Sequence, residues 1–288
     1  MTVPETSSPK PEGLVEPINQ YFHVPIAAQV VIILKNTTVT PNQVTYASII
    51  FGLASALAFC QLDIWWIVWA GVFLEISLIL DCADGQLARA KNCATDFGRL
   101  LDGIGGYIAY LSLIGGMMVA FKNQIYALII ITIMTVLKAI AFDYLKLSIS
   151  TMILEGINGS HRDIQKAFIK IKEAPSLLLT IYFYYLQFQQ LIFQGQWVSL
   201  KEYSLQDQSS SSEIILTEEQ RIKYYKKIKP LLAVWRWNGH ELILFLIAIF
   251  SILGIIEKTI TPLAIFATLQ FCLTFIFHHY IIRNEASS

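Results

Sequence analysis

The sequence predicts an all-α protein that crosses a membrane several times. Hydrophobic residues make up 55% of the 288 residues and charged residues only 15%, whereas charged residues approach about a quarter of an ordinary soluble domain. Mean hydropathy is +0.55. Six apolar stretches each have about the 20 residues that a helix needs to cross a bilayer. They are 43–62, 64–82, 99–121, 125–145, 240–257 and 261–282. We therefore expect a polytopic protein with six transmembrane helices.

The first 36 residues precede these stretches and differ from them. Residues 1–13 are polar, with no apolar core behind a basic start, so we expect a short disordered tail and no cleaved signal peptide. Residues 14–36 mix apolar and polar side chains, which is typical of an amphipathic juxtamembrane helix on the membrane surface, and Pro25 should kink or divide it. A spanning helix is disfavoured because polar residues interrupt the segment. These are Glu16, Asn19, Gln20, His23 and Gln29.

Thr40 and Pro41 predict where the first spanning helix begins. Thr40 is a candidate cap, and Pro41 suits the first helical position because its missing N–H would have no partner there.

The basic residues predict the orientation of the six spans. With a cytoplasmic N-terminus, three short turns face the far side, and their only basic residues are Lys122 and Lys258. Cytoplasmic loops carry an excess of Lys and Arg, so this arrangement fits the positive-inside tendency. It also leaves the connection 83–98 on the cytoplasmic side. We expect an integral multi-pass protein of the bacterial inner membrane.

Residues 146–239 form a long insertion, which we expect in the cytoplasm between the fourth and fifth spans. It contains basic stretches at Arg162–Lys172 and Arg221–Lys229, and a Gln/Ser-rich segment, Gln206–Ser212, that we expect to be disordered. The aromatic-rich run 177–193 could span the membrane. We favour a surface or packed helix, because its Gln and Tyr residues make it poorly lipophilic and an added crossing would put later basic residues on the far side.

A cluster of ionisable residues marks the end of the second span and the start of the third. It consists of Asp81, Asp84, Arg89 and Asp102. Asp or Arg at the centre of a membrane helix costs about 2.5 to 3.5 kcal/mol on insertion scales, so the cluster predicts a hydrated polar site. Asp81 and Asp84 lie three apart on one helical face and Asp102 begins the facing helix. Carboxylates so arranged suit oxygen ligation of Mg²⁺ or Mn²⁺.

The spacing of this cluster resembles the signature of the CDP-alcohol phosphotransferases, D-x-x-D-G-x-x-A-R-x8-G-x-x-x-D-x-x-x-D. The matching residues are Asp81, Asp84, Gly85, Ala88, Arg89, Gly98 and Asp102. The resemblance implies that these three aspartates bind a pair of divalent metals. It also implies that a fourth aspartate completes the metal site and acts as the general base. This chain has Gly106 at that position, which offers neither a metal ligand nor a proton acceptor.

Other motif residues are candidates for substrate binding. Gly85 would let a nucleotide approach the backbone, or would merely end the helix. Arg89 has a fork of donors suited to phosphate, against the alternative of a snorkelling interfacial arginine. The resemblance adds Ala88 and Gly98, and places Thr95 near the diphosphate. Asn42 and Thr45 match the family's N-x-x-T element beside the cytidine, although both also make sense as turn and cap residues.

Two further groups of residues have less defined roles. Gly98, Gly103 and Gly105 permit close helix contact, which is the favoured interpretation for the last two. Lys138, Lys146 and Arg162 could each recognise the phosphate or headgroup of an acceptor.

The resemblance implies transfer of a phosphatidyl or other phosphoalcohol group from a CDP-alcohol, with CDP-diacylglycerol favoured, to a hydroxyl acceptor and release of CMP. The acceptor stays open among glycerol phosphate, serine, inositol phosphate and aminoalcohols. Gly106 motivates a second hypothesis, a catalytically impaired homologue that binds metal and nucleotide or lipid. A transporter is disfavoured, because the charges lie at one interface and no paired broken helices are apparent. Membrane lipid is an expected partner, nucleic acid is not, and a homodimer stays open.

Overall fold

The computed structural model describes residues 15–195, 197, 199–200 and 215–286, and every regular element in them is helical. In chain order the α-helices are α1 (Val24–Leu34), α2 (Pro41–Phe59), α3 (Ile64–Ala90), α4 (Asp96–Ala120), α5 (Ile125–Leu145), α6 (Thr151–Glu155), α7 (Gly159–Glu173), α8 (Leu177–Gln194), α9 (Glu218–Trp235), α10 (Glu241–Ile252) and α11 (Ile256–Ala286). π-Helical turns at Asn19–His23 and Lys146–Ser150 precede α1 and α6. The tail 1–13 and the segment Gln206–Ser212 lie outside the described residues.

Five described helices are long and apolar enough to cross a membrane. They are Pro41–Phe59, Ile64–Ala90, Leu101–Ala120, Lys122–Glu155 and Ile256–Ile281. These correspond to five of the six predicted spans, and they bear out the predicted all-α polytopic fold. The predicted span 240–257 differs, because α10 has only 12 residues and is about 18 Å long at 1.5 Å per residue. Gly254, with φ of +68°, ends it although the apolar run continues.

The chain divides into two compact units. The motif unit is Val15–Val136 with Trp237–Cys272, and the insertion unit is Leu137–Arg236 with the residues from Leu273 onward. The first parts of α5 and α11 belong to the motif unit and their remainders to the insertion unit.

The N-terminal segment of the motif unit is helical but buries an unexpected face. The π-helical turn Asn19–His23 continues directly into α1, and Pro25 is the second residue of α1. Proline cannot donate a backbone hydrogen bond to the preceding turn, and the π-helical turn lies where this bond is missing. Tyr21 and Ile33 are exposed, whereas Glu16 and His23 are buried. Glu16 and His23 make hydrogen bonds inside the protein in place of those that water would otherwise supply.

The start of α2 follows its sequence closely. Thr40 accepts a hydrogen bond from the Gln43 N–H at 3.3 Å, and the Gln43 side chain accepts from the Thr40 N–H at 2.9 Å. This reciprocal capping box, with Pro41 at the first helical position, confirms the predicted helix start.

Small residues bring α2 against α3 and α4. The hydroxyls of Ser48 and Ser77 each donate to the other's carbonyl oxygen, at 3.0 and 2.8 Å. A Cβ added at Gly105 would lie 2.4 Å from Ile49 Cδ1, so this glycine is a contact residue, as predicted. A Cβ at Gly103 would meet nothing within 4 Å. The predicted packing role of Gly103 is therefore wrong, because this residue faces away from α2.

Gly116→Ala is expected to lower stability, and Gly115→Ala is not. A Cβ at Gly116 would lie 2.4 Å from the carbonyl oxygen of Ala56, whereas a Cβ at Gly115 would meet nothing within 4 Å. Overpacking typically costs about 1 to 3 kcal/mol, while replacing an unconstrained helical glycine by alanine gains about 0.5 to 1 kcal/mol. Thermal unfolding of both variants in one detergent measures the difference. Equal melting temperatures of the two variants would contradict close packing of α2 against α4 at Gly116 and Ala56.

In the insertion unit, α8 packs against α7. Ile164, Phe168 and Ile171 of α7 form a buried cluster with Phe183 and Leu186 of α8. Gln187, Gln189 and Gln190 are also buried, and the side-chain amide of Gln190 contacts the His161 ring at 3.2 Å. The aromatic-rich run thus forms a helix with a packed polar face, and α8 is not among the five helices suited to span.

Candidate functional site

Three helices of the motif unit bring the motif residues together. The last turns of α3 carry Asp81, Asp84 and Arg89, the first turns of α4 carry Gly98 and Asp102, and α2 begins beside them. The connection between α3 and α4 is short and includes Asn92 with φ of +51°. Thr95 then caps α4 by accepting a hydrogen bond from the Gly98 N–H at 3.0 Å. The cap fixes the direction in which α4 leaves the loop.

The Asp84 side chain is hydrogen-bonded to α2. The Thr45 hydroxyl donates to the Asp84 carboxylate, and both side chains are buried. The backbone N–H of Gly85 and the charge of Arg89 also stabilise this carboxylate. Thr45 is therefore a partner of a motif aspartate, in addition to its place near the start of α2.

Asp81 meets Asp102 across the interface between α3 and α4. Their carboxyl groups lie close together. Two ionised carboxylates repel each other at short distance, so a pair of this kind favours a cation between the two groups.

A cavity of about 220 Å³ lies in front of these helices. Its lining includes every predicted substrate-binding residue and two of the three predicted metal ligands. The lining residues are Pro41, Asn42, Thr45, Asp84, Gly85, Ala88, Arg89, Cys93, Ala94, Thr95, Gly98 and Asp102. Asp81 does not line it and lies beside it, against Asp102. One cavity therefore contains carboxylates, a guanidinium group and the amide of Asn42.

The two motif glycines differ in what surrounds them. A Cβ at Gly98 would lie 3.1 Å from Asn42 Oδ1 and 3.2 Å from Thr95 Oγ1, so protein packing alone favours a glycine there. A Cβ at Gly85 would meet only the end of Arg89, at 3.6 Å or more. No packing contact requires a glycine at position 85, and the free space in front of its backbone belongs to the cavity.

Gly106 lies one helical turn after Asp102 and is exposed. Residues four apart share one side of a helix, so position 106 projects on the side of α4 that carries Asp102. A Cβ at Gly106 would meet nothing within 4 Å. A carboxylate would fit at this position without displacing any neighbour.

The donor chemistry of the site fits a divalent cation at the Asp81–Asp102 pair. Carboxylate oxygens are the ligands that Mg²⁺ and Mn²⁺ prefer. In the part of the chain that the structure describes, no group of three or more His, Cys, Asp or Glu side chains lies close enough to hold a metal ion. Two carboxylates thus converge, and Asp84 is directed to Thr45.

The sequence reasoning missed two carboxylates close to the motif. Glu75 lies on α3, and Glu241 at the start of α10 interacts electrostatically with Asp81. Both are only 12% exposed. Each is an acidic residue in or at the edge of an apolar stretch, and ionisable residues in such stretches are functional candidates. That signal was available in the sequence.

The three basic residues considered for the acceptor belong to the insertion unit. Lys138 is fully buried, and Lys146 Nζ lies 4.9 Å from the centre of the Phe142 ring. Arg162 forms an ion pair with Glu155. Arg162 and Lys146 thus have local partners within their own unit.

Comparison with known proteins identifies the family. Residues 38–201 match the family described as CDP-alcohol phosphatidyltransferase. No curated protein and no solved structure matches the chain. The matched residues contain the entire motif and cover more than half of the chain, in agreement with the resemblance seen in the sequence. The family is generally metal-dependent, and its members act in membranes on CDP-alcohols and alcohol acceptors. The chain therefore belongs to the CDP-alcohol phosphatidyltransferase family.

Proposed function

We propose that the protein transfers a phosphatidyl group from CDP-diacylglycerol to a hydroxyl acceptor and releases CMP. The family implies transfer of a phosphoalcohol group from a CDP-alcohol. The observation that carries the proposal is the cavity in which Arg89, Gly85 and two motif aspartates meet Asn42. A cytidine diphosphate needs cationic donors, close backbone approach and a polar partner for its base, and this lining offers all three.

In this proposal Arg89 binds the diphosphate, and Gly85 leaves room for the nucleotide against the backbone. Thr95 and Gly98 border the diphosphate, and Asn42 lies beside the cytidine. Ala88 contributes a small side chain to the same wall. The tight packing around Gly98 and the free space at Gly85 support different roles for the two glycines.

Asp81, Asp84 and Asp102 would hold Mg²⁺ or Mn²⁺, with two ions expected. Bound divalent ions neutralise charge on the diphosphate and on the leaving group. The protein residues orient the ligands, since Thr45 fixes Asp84 and Asp81 contacts Asp102. Gly106 supports a second candidate, a homologue that binds metal and nucleotide or lipid and turns over slowly.

Turnover by the purified protein tests this proposal. We expect CMP release from CDP-diacylglycerol with Mg²⁺ or Mn²⁺, and product with one of glycerol phosphate, serine, inositol phosphate or an aminoalcohol. Arg89→Ala should raise KM for the CDP-alcohol, because removal of a charge-assisted contact to phosphate weakens binding. Saturable CMP binding without release from any donor and acceptor would favour the second candidate. If the protein neither binds CMP nor releases it from any donor, both candidates are contradicted.

The site is proposed to face the cytoplasm, with the insertion 146–239 on the same side. Trp65 and Tyr126 are 72% and 84% exposed in the first turns of α3 and α5, and such aromatic residues are typical of a membrane interface. Both lie at the helix ends remote from the motif. We infer that the motif end faces the opposite interface.

Thiol labelling in oriented vesicles tests this orientation. Cys93 lies in the motif loop and is exposed. A membrane-impermeant maleimide should label Cys93 from the cytoplasmic side alone, and Asn123→Cys, in the turn before α5, from the opposite side alone. Labelling of Cys93 from the outer side would overturn the orientation.

A further inference from the structure

A buried polar junction lies behind the motif end of α3. His23 is fully buried and contacts two other side chains through its ring nitrogens. Its Nε2 lies 2.9 Å from Glu75 Oε1, and its Nδ1 lies 2.8 Å from Asn19 Oδ1. Glu241 Oε2 lies 3.8 Å from the same Nδ1. The junction thus joins the N-terminal turn to α3 and to the start of α10, and none of its residues lines the cavity.

The ring of His23 links three helical segments. Its Nε2 contacts Glu75 of α3, and its Nδ1 contacts Asn19 of the N-terminal turn. Asn19 in turn contacts Glu241 at the start of α10. Removal of the His23 ring would therefore remove buried polar contacts from both Glu75 and Asn19, and buried polar groups that lose their hydrogen bonds destabilise the packing around them.

The N-terminal segment 16–39 continues along α3 from this junction. The Gln86 side-chain amide donates to the carbonyl oxygen of Val24 at 3.2 Å. Beyond the end of α3, Lys91 Nζ donates to the carbonyl oxygens of Thr37 and Val39 at 2.8 and 2.7 Å. Polar contacts therefore fasten the segment to α3 at both ends of the motif turns.

Apolar packing fills the space between these polar contacts. Ala27 and Val31 of α1 form a buried cluster with Ala83 and Leu87 of α3. Cys82 Sγ lies 3.7 Å from Asn19 Oδ1. The residues that alternate with Asp81 and Asp84 along α3 thus face the N-terminal segment, while the two aspartates face α2 and α4.

We propose that His23 is a positioning residue for the carboxylate site. It holds segment 16–39 against the back of α3, and this support keeps Asp81 directed at Asp102 and Asp84 at the cavity. The inference rests on the proposed function in so far as the site must be catalytic. His23 and Glu241 lie outside the residues 38–201 that match the family, and Glu75 lies within them.

The native cysteines report whether His23 holds the segment. Cys82 is half-buried beneath Asn19, and Cys93 is exposed in the loop that follows. His23→Ala should increase the rate of maleimide labelling at Cys82 and leave the rate at Cys93 unchanged. Gln29→Ala is the matched control, since Gln29 is an exposed polar residue of α1, the helix that follows His23. It should change neither rate.

Kinetics and metal binding report whether the support positions the site. In His23→Ala we expect kcat to fall about 10- to 100-fold, the size of effect that a small misplacement of catalytic groups produces, with KM for CDP-diacylglycerol little changed. Mn²⁺ affinity, measured by electron paramagnetic resonance with the purified protein, should fall as well. The double variant His23→Gln with Glu75→Gln keeps a neutral hydrogen bond between the helices and should restore Cys82 protection, kcat and Mn²⁺ affinity.

The outcomes separate this proposal from the proposed function. If the wild-type protein releases no CMP, the proposed function fails, while Cys82 labelling and Mn²⁺ affinity still test the role of His23. Unchanged labelling of Cys82 in His23→Ala would overturn the proposal. So would faster labelling with unchanged kcat and Mn²⁺ affinity. A further contrary result is that His23→Ala lowers both the melting temperature and the substrate affinity, with neither restored in the double variant. That result would assign His23 to folding alone and would also overturn the proposal.

Discussion

Gly106→Asp is expected to raise the rate of CMP release by about 10²- to 10⁴-fold, the usual contribution of a positioned general base. Gly106 lies one turn after Asp102 on α4, and a Cβ there meets nothing within 4 Å. The new carboxylate would therefore have room for its rotamers on the side of α4 that carries Asp102. From there it would serve as a general base for the acceptor in the proposed reaction. Nucleotide affinity should change little, because Arg89 and Gly85 are unaffected.

Two variants control for this result. Gly106→Asn adds a side chain of the same size that cannot accept a proton at neutral pH, and should bring little gain. Gly103→Asp adds the same charge at a second open position of α4, and it tests whether any nearby negative charge suffices. Full activity of the unmodified protein, with no gain from Gly106→Asp, would show that another group removes the acceptor's proton.

Loss of metal-dependent stabilisation is the second large effect expected, in Asp81→Asn and Asp102→Asn. A ligand that binds only the folded state stabilises it by about 2.7 kcal/mol at 100 times its Kd. Mg²⁺ or Mn²⁺ should thus raise the melting temperature of the wild-type protein. Without metal, each variant should be at least as stable as the wild type, because an amide next to the remaining carboxylate avoids repulsion between like charges.

The diagnostic result is that metal reverses the order of the melting temperatures of the wild type and the two variants. The variants should melt at or above the wild type in chelator, and below it in saturating metal. Asp63→Asn is the control, because Asp63 caps the other end of α3 and asparagine is an equally good cap. Equal stabilisation of the wild type and both aspartate variants by metal would mean that the ion binds elsewhere.

The sequence alone determined the fold class, the family and most of the motif residues that line the cavity. Membrane spans depend on one-dimensional properties, length and hydropathy, and five of the six predicted spans appear as helices of spanning length. The motif residues lie within about two turns of the α3–α4 connection, so local chain geometry brings Asp84, Arg89 and Asp102 together. Thr40 and Pro41 likewise determine the start of α2 through contacts within one turn.

Only the tertiary structure decided which polar residues are buried and against what. Glu16 and His23 gave the N-terminal segment the pattern of a surface helix, yet both are buried, because their partners Glu241 and Glu75 are contributed by helices remote in sequence. The tertiary structure also distinguishes Gly103 from Gly105, two glycines of α4 with similar sequence surroundings. Gly105 lies on the side of α4 that packs against α2, and Gly103 does not. Hydropathy and spacing describe one segment at a time, whereas the burial of a charge depends on the charge that another segment places beside it.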